Sequence, residues 1–390
     1  MMRKYIYLLI TAFTFSCIDH FEQETGTFQK GILVVDGTIA ATATTVRLSR
    51  SVGIEMESTE SVGIDNATLY VACDDGSRFS SVAYRGEGMY EIETPALDPG
   101  KQYCLHISLG DGEEYESSFL TPLFTPEIDS ISWQKQGRGE TVYITVSTHD
   151  EATHPPYYRW TYSEDWEFKS ELYATAGFVA TIGGVDYFKI YDLQTSNNIY
   201  YCWGSSHSAG FILGSSERLS SNTISHNRLT GIEPSHEKLS ILYYISVSQQ
   251  QLRKEAYDYY MNLQKNISQS GSIFSPIPAE MTGNIRCLTH PDRPAIGYVE
   301  VSNIVSADLF IPESSGLYEP PIGQCPMQVV HRISKDYISN TIYEFIQEQG
   351  QGPEPYMVVG LPMSYAPVSC MDCTTRGTKK KPPLWPTDHL

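Results

Sequence analysis

Short runs in which apolar and polar residues alternate fill the chain from Gly31 to about Pro122. A side-chain period of two is typical of strands with one buried face. Turn-forming pairs such as Asp36-Gly37 and Pro99-Gly100 separate the runs. The pattern predicts six strands, at 32–35, 45–48, 67–71, 89–92, 103–107 and 115–119. We therefore expect an N-terminal β-sandwich, immunoglobulin-like or prealbumin-like, over residues 28–124.

A second strand-rich region begins at Ile128 and continues far into the C-terminal half. Its clearest strands are predicted at 141–146, 157–162, 239–247, 283–287, 296–301 and 308–311. Residues 164–229 are rich in aromatic residues, Gly and Ser without a strong period, which indicates long loops and short strands. The sequence thus predicts a mainly β protein in which a larger β-rich domain covers residues 125–390.

One segment, 249–264, has the apolar spacing of an amphipathic helix. The residues that recur along one face are Leu252, Ala256, Tyr259, Tyr260 and Leu263. Ser248 followed by Gln251 fits a capping box, and Asn266 with Gly271 fits a helix end. We expect this helix to pack on a sheet.

The first 17 residues have the layout of an export signal. Arg3 and Lys4 precede an apolar run that reaches Phe15, and Ser16 stands directly before Cys17. The run is much shorter than the roughly 20 residues that span a bilayer. We expect cleavage before Cys17, lipidation of its thiol and a polar tether over residues 18–27. The alternative is a secreted protein in which Cys17 stays in the leader.

Charge and cysteine content narrow the function classes. The net charge of −19 argues against nucleic acid as a partner, because neutralising phosphates requires clustered Lys and Arg. In an exported chain, the cysteines other than Cys17 are disulfide candidates: Cys73, Cys104, Cys202, Cys287, Cys325, Cys370 and Cys373. Cys73 with Cys104 is the first predicted pair, and the odd total implies at least one free thiol. The C-x-x-C formed by Cys370 and Cys373 could be redox-active or half a zinc site, but structural bridging is favoured.

No catalytic constellation is recognisable. The sequence contains no G-x-S-x-G, P-loop, dinucleotide fingerprint, H-E-x-x-H or EF-hand loop. The ten histidines are scattered singly, which is more typical of polar side chains at the surface than of a metal site. Acidic pairs such as Glu164-Asp165 are more simply solvated carboxylates than the catalytic pair of a glycosidase. We expect no enzyme activity, no metal and no cofactor.

The 27 tyrosines and the aromatic-rich stretch between Tyr157 and Trp203 are the unusual feature of the composition. Tyr and Trp combine an apolar face with a polar tip, which suits interfaces and sugar stacking, although strands also favour them. The predicted binding surface consists of Tyr158, Trp160, Trp166, Phe168, Tyr187, Tyr201 and Trp203.

Several motifs, in order along almost the whole mature chain, resemble a family of Bacteroidota lipoproteins, the domain of unknown function 4249 family. They are the leader ending at Cys17, the segments 33–37, 46–50, 158–160 and 166–168, Cys202-Trp203, the segments 255–260, 283–285 and 296–298, and the ending from Cys370 to Trp385. The resemblance supplies no catalytic residues. It also favours a structural role for the C-terminal cysteines.

The resemblance implies a setting similar to that of outer-membrane lipoproteins that accompany TonB-dependent transporters. We therefore expect a lipid-anchored protein of the outer membrane, on its surface or its periplasmic face, that assists nutrient capture or uptake as the partner of such a transporter. The alternatives are a structural or adhesive surface lipoprotein, and a glycan or peptide hydrolase whose site has no recognisable motif.

Overall fold

A computed structural model describes residues 31–51, 62–151, 155–182, 185–190, 198–269, 283–321, 325–326, 328–329, 357–359, 364–383 and 385–386. For 176–182, 185–190, 267–269, 328–329, 357–359 and 364–365 it describes the backbone alone. The expected leader, Cys17 and the expected tether lie outside these residues. In the described part, no helix is long and apolar enough to cross a membrane.

Two sheets form an N-terminal sandwich. The first sheet has the order β20-β1-β2-β7-β6, with β3 beside β2, and the second has the order β19-β9-β8-β4-β5. The strands of the first sheet are β1 (Leu33–Ile39), β2 (Thr42–Arg50), β3 (Val62–Gly63), β6 (Val82–Gly86), β7 (Met89–Thr94) and β20 (Ala295–Val301). Those of the second are β4 (Ala67–Cys73), β5 (Arg78–Phe79), β8 (Tyr103–Leu109), β9 (Glu114–Ser117) and β19 (Ile285–Cys287).

Alternation along the strands builds the sandwich core. In β1, Leu33 and Val35 are buried while Asp36 is exposed, as a period of two requires. Leu69, Ile107 and Ile92 meet them in one apolar cluster. All six strands predicted in this region are confirmed.

Two strands far along the chain complete this sandwich. β20 lies parallel to β1, with Leu33 beside Ala295 and Ile39 beside Val301, and β19 pairs with β9. Gly297 permits the close approach, because a Cβ atom there would lie 2.1 Å from the carbonyl oxygen of Val35. Residues 283–301, which the sequence predicts to be part of the larger domain, are attached to the first unit by these pairings.

The second unit is built on a third and a fourth sheet. The third has the order β10-β11-β17, and the fourth has the order β15-β12-β18-β21, with β16 beside β12. Their strands are β10 (Ile128–Gln134), β11 (Val142–His149), β12 (Tyr157–Lys169), β15 (Tyr201–His207), β16 (Ile212–Ser215), β17 (Thr223–Ile232), β18 (Leu242–Leu252) and β21 (Ile304–Pro312). The prediction of loops and short strands over 164–229 is therefore wrong for β12 and β17, which are long strands.

The predicted helix exists but begins later than expected. Helix α1 covers Lys254–Gln269, whereas 249–252 belong to β18. The expected capping box at Ser248 is wrong, because Gln249, Gln250 and Gln251 are buried in the sheet. Their amides donate to the carbonyl oxygen of Pro126, the hydroxyl of Thr38 and the carbonyl oxygen of Pro155, at 2.8, 3.0 and 2.9 Å. Satisfied hydrogen bonds make burial of these polar side chains tolerable.

A polar junction joins the two units. The guanidinium group of Arg253, directly after β18, bonds both Glu300 of β20 and the carbonyl oxygen of Thr121. The carboxyl of Glu300 is almost fully buried, and this burial raises its pKa. Within α1, Tyr259 and Tyr260 pack against Tyr298 of β20. The units are thus fixed to each other by an ion pair and by an aromatic cluster.

The C-terminal segment folds back onto the second unit. A fifth sheet has the order β14-β13-β23-β24-β22. Its strands are β13 (Ala176–Ile182), β14 (Val185–Ile190), β22 (Gln328–Val329), β23 (Met357–Val359) and β24 (Ser364–Ala366), and the short helix α2 (Val368–Met371) follows. Trp385, near the end of the chain, is buried, and its indole donates to Glu167 at 2.9 Å.

Candidate ligand-binding cleft

A cleft with a volume of about 740 Å³ lies at the end of the fourth sheet that is remote from the junction. We call it the tail cleft. Its lining comprises Lys169, Ser170 and Glu171 after β12, Ser235, His236 and Glu237 before β18, Glu313, Tyr318, Pro320 and Pro321 after β21, and Cys325, Ser369, Cys370 and Arg376 of the C-terminal segment. Four separate parts of the chain therefore meet there.

A buried carboxylate holds one wall in place. Glu164 of β12 accepts hydrogen bonds from Tyr243, Lys238 and Ser206, at 2.5, 2.6 and 2.7 Å. Burial alone would raise the pKa of Glu164, but these hydrogen bonds outweigh it and lower the pKa below its ordinary value. Because Lys238 belongs to the 3-10 helix Glu237–Leu239, the charged pair fixes the segment that brings His236 and Glu237 to the cleft.

Disulfides hold the opposite wall. Cys373 is bonded to Cys202 of β15, and Cys370 is bonded to Cys325, which itself lines the cleft. The guanidinium group of Arg376 lies 5.5 Å from the ring centre of Phe168, and its Nε donates to Glu237 at 2.8 Å. Thus the C-terminal segment contacts the wall that Glu164 supports. Disulfides and an ion pair together hold this segment in place beside the cleft.

The lining is polar, with the three carboxylates of Glu171, Glu237 and Glu313 and the two cations of Lys169 and Arg376. Lys169 pairs with Glu313 at 3.5 Å, next to the pair of Arg376 and Glu237. Burial, and then the charge of Lys238, lower the pKa of His236, so its imidazole is neutral at pH 7. The pKa of Tyr318 is raised, mainly by burial. Such a lining can donate and accept many hydrogen bonds without strongly attracting an ion.

Ser170 adds an unusual feature to this cleft. Its side chain is only 1% exposed, and its hydroxyl has no hydrogen-bond partner among the described residues. Buried polar atoms are rarely left without a partner, because the lost hydrogen bond with water is costly. Ser170 belongs to the lining of the tail cleft, so this hydroxyl lies close to the space that a ligand would occupy.

The aromatic binding surface predicted from the sequence is corrected by the structure. Tyr158, Trp160 and Phe168 are fully buried, and Trp166 is 8% exposed. All four occupy even positions of β12 and hence the same face, which packs against the core shared with the third sheet. Tyr201 and Trp203 are half-buried, and they pack against the cluster that contains Trp385. The side chain of Tyr187 lies outside the described residues.

The predicted pairing of Cys73 with Cys104 is wrong. Both are buried free thiols, as is Cys287. The register places Cys73 opposite Tyr103 and Cys104 opposite Ala72. Since neighbouring strand residues point to opposite faces, the two sulfur atoms lie on different sides of the second sheet. In the C-x-x-C, each cysteine bonds a distant partner, which is the structural bridging favoured from the sequence.

In the part of the chain that the structure describes, no group of three or more His, Cys, Asp or Glu side chains lies close enough together to hold a metal ion. The cleft residues Ser170, His236, Glu237, Tyr318 and Arg376 were not singled out as a site from the sequence. Only the C-x-x-C beside Arg376 could have drawn attention to this part of the chain.

Comparison with known proteins gives a match to a protein family. A search of curated proteins finds no match. The sequence model of a domain of unknown function, DUF4249, matches residues 18–308, a range that contains the β12 wall of the tail cleft and ends before the disulfide-bonded wall. Because the match covers well over half of the chain, the protein belongs to the DUF4249 family.

Proposed function

We propose that the protein is an exported lipoprotein, anchored in the outer membrane through Cys17, that binds an oligosaccharide in the tail cleft and delivers it to a TonB-dependent transporter. The observation that carries the binding role is the tail cleft itself, whose lining combines three carboxylates, two cations and a buried hydroxyl that has no hydrogen-bond partner among the described residues. Ligand sites are typically concave and contain a few convergent polar groups.

The lining favours a neutral, hydroxyl-rich ligand. Lys169 and Arg376 are already paired with carboxylates, so neither cation is left to select an anion. Sugar hydroxyls both donate and accept, which matches ammonium, guanidinium and carboxylate groups side by side. Tyr318 and the adjoining prolines supply apolar surface for the face of a sugar ring.

Export is supported by the leader and by the two disulfides, since such bonds persist in oxidising compartments. A transporter is proposed as the partner because the family resembles, in its setting, outer-membrane lipoproteins that accompany TonB-dependent transporters. The tagged full-length protein should be purified from its host in mild detergent, and its companions identified by mass spectrometry. We expect a TonB-dependent transporter in near-equal amount. A protein recovered alone would contradict the partnership and favour a free-standing adhesin.

Ligand binding is tested separately with neutral oligosaccharides derived from starch, xylan and galactan. At least one should bind in calorimetry, and Lys169→Gln should weaken its binding about fivefold, the value of one hydrogen bond of about 1 kcal/mol. Lys380→Gln, at an exposed lysine of the C-terminal segment outside the lining of the cleft, is the matched control. If Lys169→Gln and Lys380→Gln bind the oligosaccharide equally well, the ligand binds elsewhere. Shortened oligosaccharides in the mixture would indicate a hydrolase.

A further inference from the structure

A second cleft, of about 560 Å³, lies between the sandwich and the fourth sheet. We call it the junction cleft. The sandwich contributes Asp36 of β1 and Arg47 of β2, and the second unit contributes Arg159 together with serine and threonine hydroxyls. This composition differs from that of the tail cleft, because here cations outnumber carboxylates.

Two aromatic rings hold the guanidinium group of Arg159 at the junction cleft. Its guanidinium carbon lies 4.8 Å from the ring centre of Tyr260 and 6.0 Å from that of Phe211, so two aromatic rings fix its position. Its ion pair with Asp36 is long, at 3.8 Å, and the Asp36 side chain is 69% exposed. A guanidinium group that is stacked on aromatic rings and weakly paired retains donors for an oxyanion.

Arg47 supplies the second cation. It stands directly opposite Asp36 in the pairing of β1 with β2, and its side chain is exposed. Among the described residues, no carboxylate lies within 4 Å of its guanidinium group. The cleft therefore contains two guanidinium groups and one carboxylate, within a protein whose net charge is −19. Such a local excess of positive charge concentrates anions against the field of the remaining surface.

Hydroxyl groups form an ordered array beside these cations. Thr161 and Ser163 of β12 pair directly with Ser248 and Ser246 of β18. Arg159, Thr161 and Ser163 occupy odd positions of one strand, and hence one face of the sheet. Four hydroxyls, two on each strand, thus follow Arg159 along the sheet in the lining of the cleft, and the hydroxyl of Ser248 also bonds that of Ser306 at 3.0 Å. This arrangement matches a ligand that bears an oxyanion at one point and hydroxyls along its length.

We propose that the junction cleft binds an acidic saccharide, whose carboxylate or sulfate group is held by Arg47 and Arg159 and whose hydroxyls lie on the Thr161–Ser248 and Ser163–Ser246 pairs. Guanidinium groups bind planar carboxylates through two parallel hydrogen bonds, and each such bond is stronger than one between neutral groups. This site is separate from the tail cleft, and it does not depend on the proposed transporter.

The test uses the full-length protein and calorimetry with galacturonate oligomers, neutral galactose oligomers of equal length, and inorganic sulfate. We expect the galacturonate oligomers to bind at least about tenfold more tightly than either control, and less tightly when salt is raised from about 0.03 M to about 0.3 M. Equal binding of uronate and neutral oligomers, or no binding of the uronate, overturns the proposal. Equal binding of sulfate and uronate overturns its saccharide part.

Two variants locate the site. Arg47→Gln should weaken uronate binding about tenfold without moving the thermal midpoint, because Arg47 is exposed and unpaired in the described structure. Arg85→Gln, an exposed arginine of β6 in the same sheet, is the matched control and should bind normally. Ser163→Ala, at an exposed hydroxyl of the array, should also reduce affinity. Unchanged affinity in both Arg47→Gln and Ser163→Ala would contradict the assignment.

Discussion

The hydroxyl group of Tyr243 donates a hydrogen bond of 2.5 Å to the carboxylate of Glu164, and both side chains are buried within the second unit. Lys238 and Ser206 complete the set of donors. Replacing the Glu164 carboxylate by an amide leaves the partly buried ammonium group of Lys238 without its ion-pair partner. Glu164→Gln should therefore lower the free energy of unfolding by about 2–4 kcal/mol at pH 7. Denaturant titration measures this loss, and Glu93→Gln, at an exposed position of β7, should change stability little.

The same carboxylate predicts a pH dependence. The pKa of Glu164 is lower in the folded protein than its ordinary value of 4.5, so the folded state binds this proton less readily. Its stabilisation is present above pH 4.5 and is lost as the pH falls through the folded pKa. We expect the difference between wild type and Glu164→Gln to shrink on acidification below pH 4.5. A constant difference down to about pH 2 would contradict this reading.

The cysteine pairing gives a count that can be measured directly. Three thiols per chain should react in denaturant without reductant. The number should rise to seven after reduction when Cys17 carries lipid, since the sequence has eight cysteines. A single reactive thiol before reduction would mean that a third disulfide exists.

The two disulfides should differ in their contribution to stability. Cys202–Cys373 closes a loop of 171 residues, and Cys325–Cys370 closes one of 45. In the chain-entropy model each contributes about 2–5 kcal/mol, and the longer loop contributes about 1 kcal/mol more. The double variants Cys202→Ser with Cys373→Ser and Cys325→Ser with Cys370→Ser can be compared by denaturant unfolding. A larger loss for the shorter loop would contradict the entropic ranking.

Gly204 of β15 is required by close packing. A Cβ atom there would lie 2.3 Å from the indole of Trp166, which stands opposite it in β12. Gly204→Ala should therefore destabilise the protein by about 1–3 kcal/mol, through displacement of a buried ring. Gly210→Ala is the control, because nothing lies within 4 Å of the added atom. Equal melting temperatures of the two variants would show that Trp166 moves aside easily.

Anchoring at Cys17 can be tested without structural information on the leader. Cys17→Ala should move the protein from the detergent phase to the aqueous phase in a phase-partition assay, since the acyl chains supply the membrane affinity. Intact mass of the wild-type protein should show cleavage before Cys17 and added acyl mass. A wild-type protein that partitions into the aqueous phase would contradict lipidation.

The strands were predictable where one face of a sheet is buried, because burial imposes a period of two. That pattern identified β1, β8 and β11 from the sequence alone. It could not place the start of α1, because Gln249 finds its partners at Pro126 and Thr148, which only tertiary folding brings near. It also could not show that β20 returns to β1, since alternation identifies a strand without naming its neighbour.

The candidate sites were less predictable than the fold. The aromatic residues of β12 drew attention by composition, yet Trp160 is enclosed and its indole donates to Gln249 at 2.8 Å. Composition does not distinguish a tyrosine or tryptophan that packs a core from one that stacks on a ligand. The polar residues that line both clefts are individually ordinary, and only the fold brings Ser170 near Arg376 or Arg47 near Arg159.

The position of β20 has a consequence for how the protein is made. A ribosome releases the chain from its amino terminus, so β1 emerges long before the strand that must lie beside it. Until residue 301 is available, the first sheet has an open edge at β1, and exposed edges invite pairing with other chains. Closing so long a loop is slow, because its entropy is lost before the contacts form. The sandwich is therefore the first unit to be started but is completed only after residue 301 has been made, and until then its open edge is a site at which a newly made chain can aggregate.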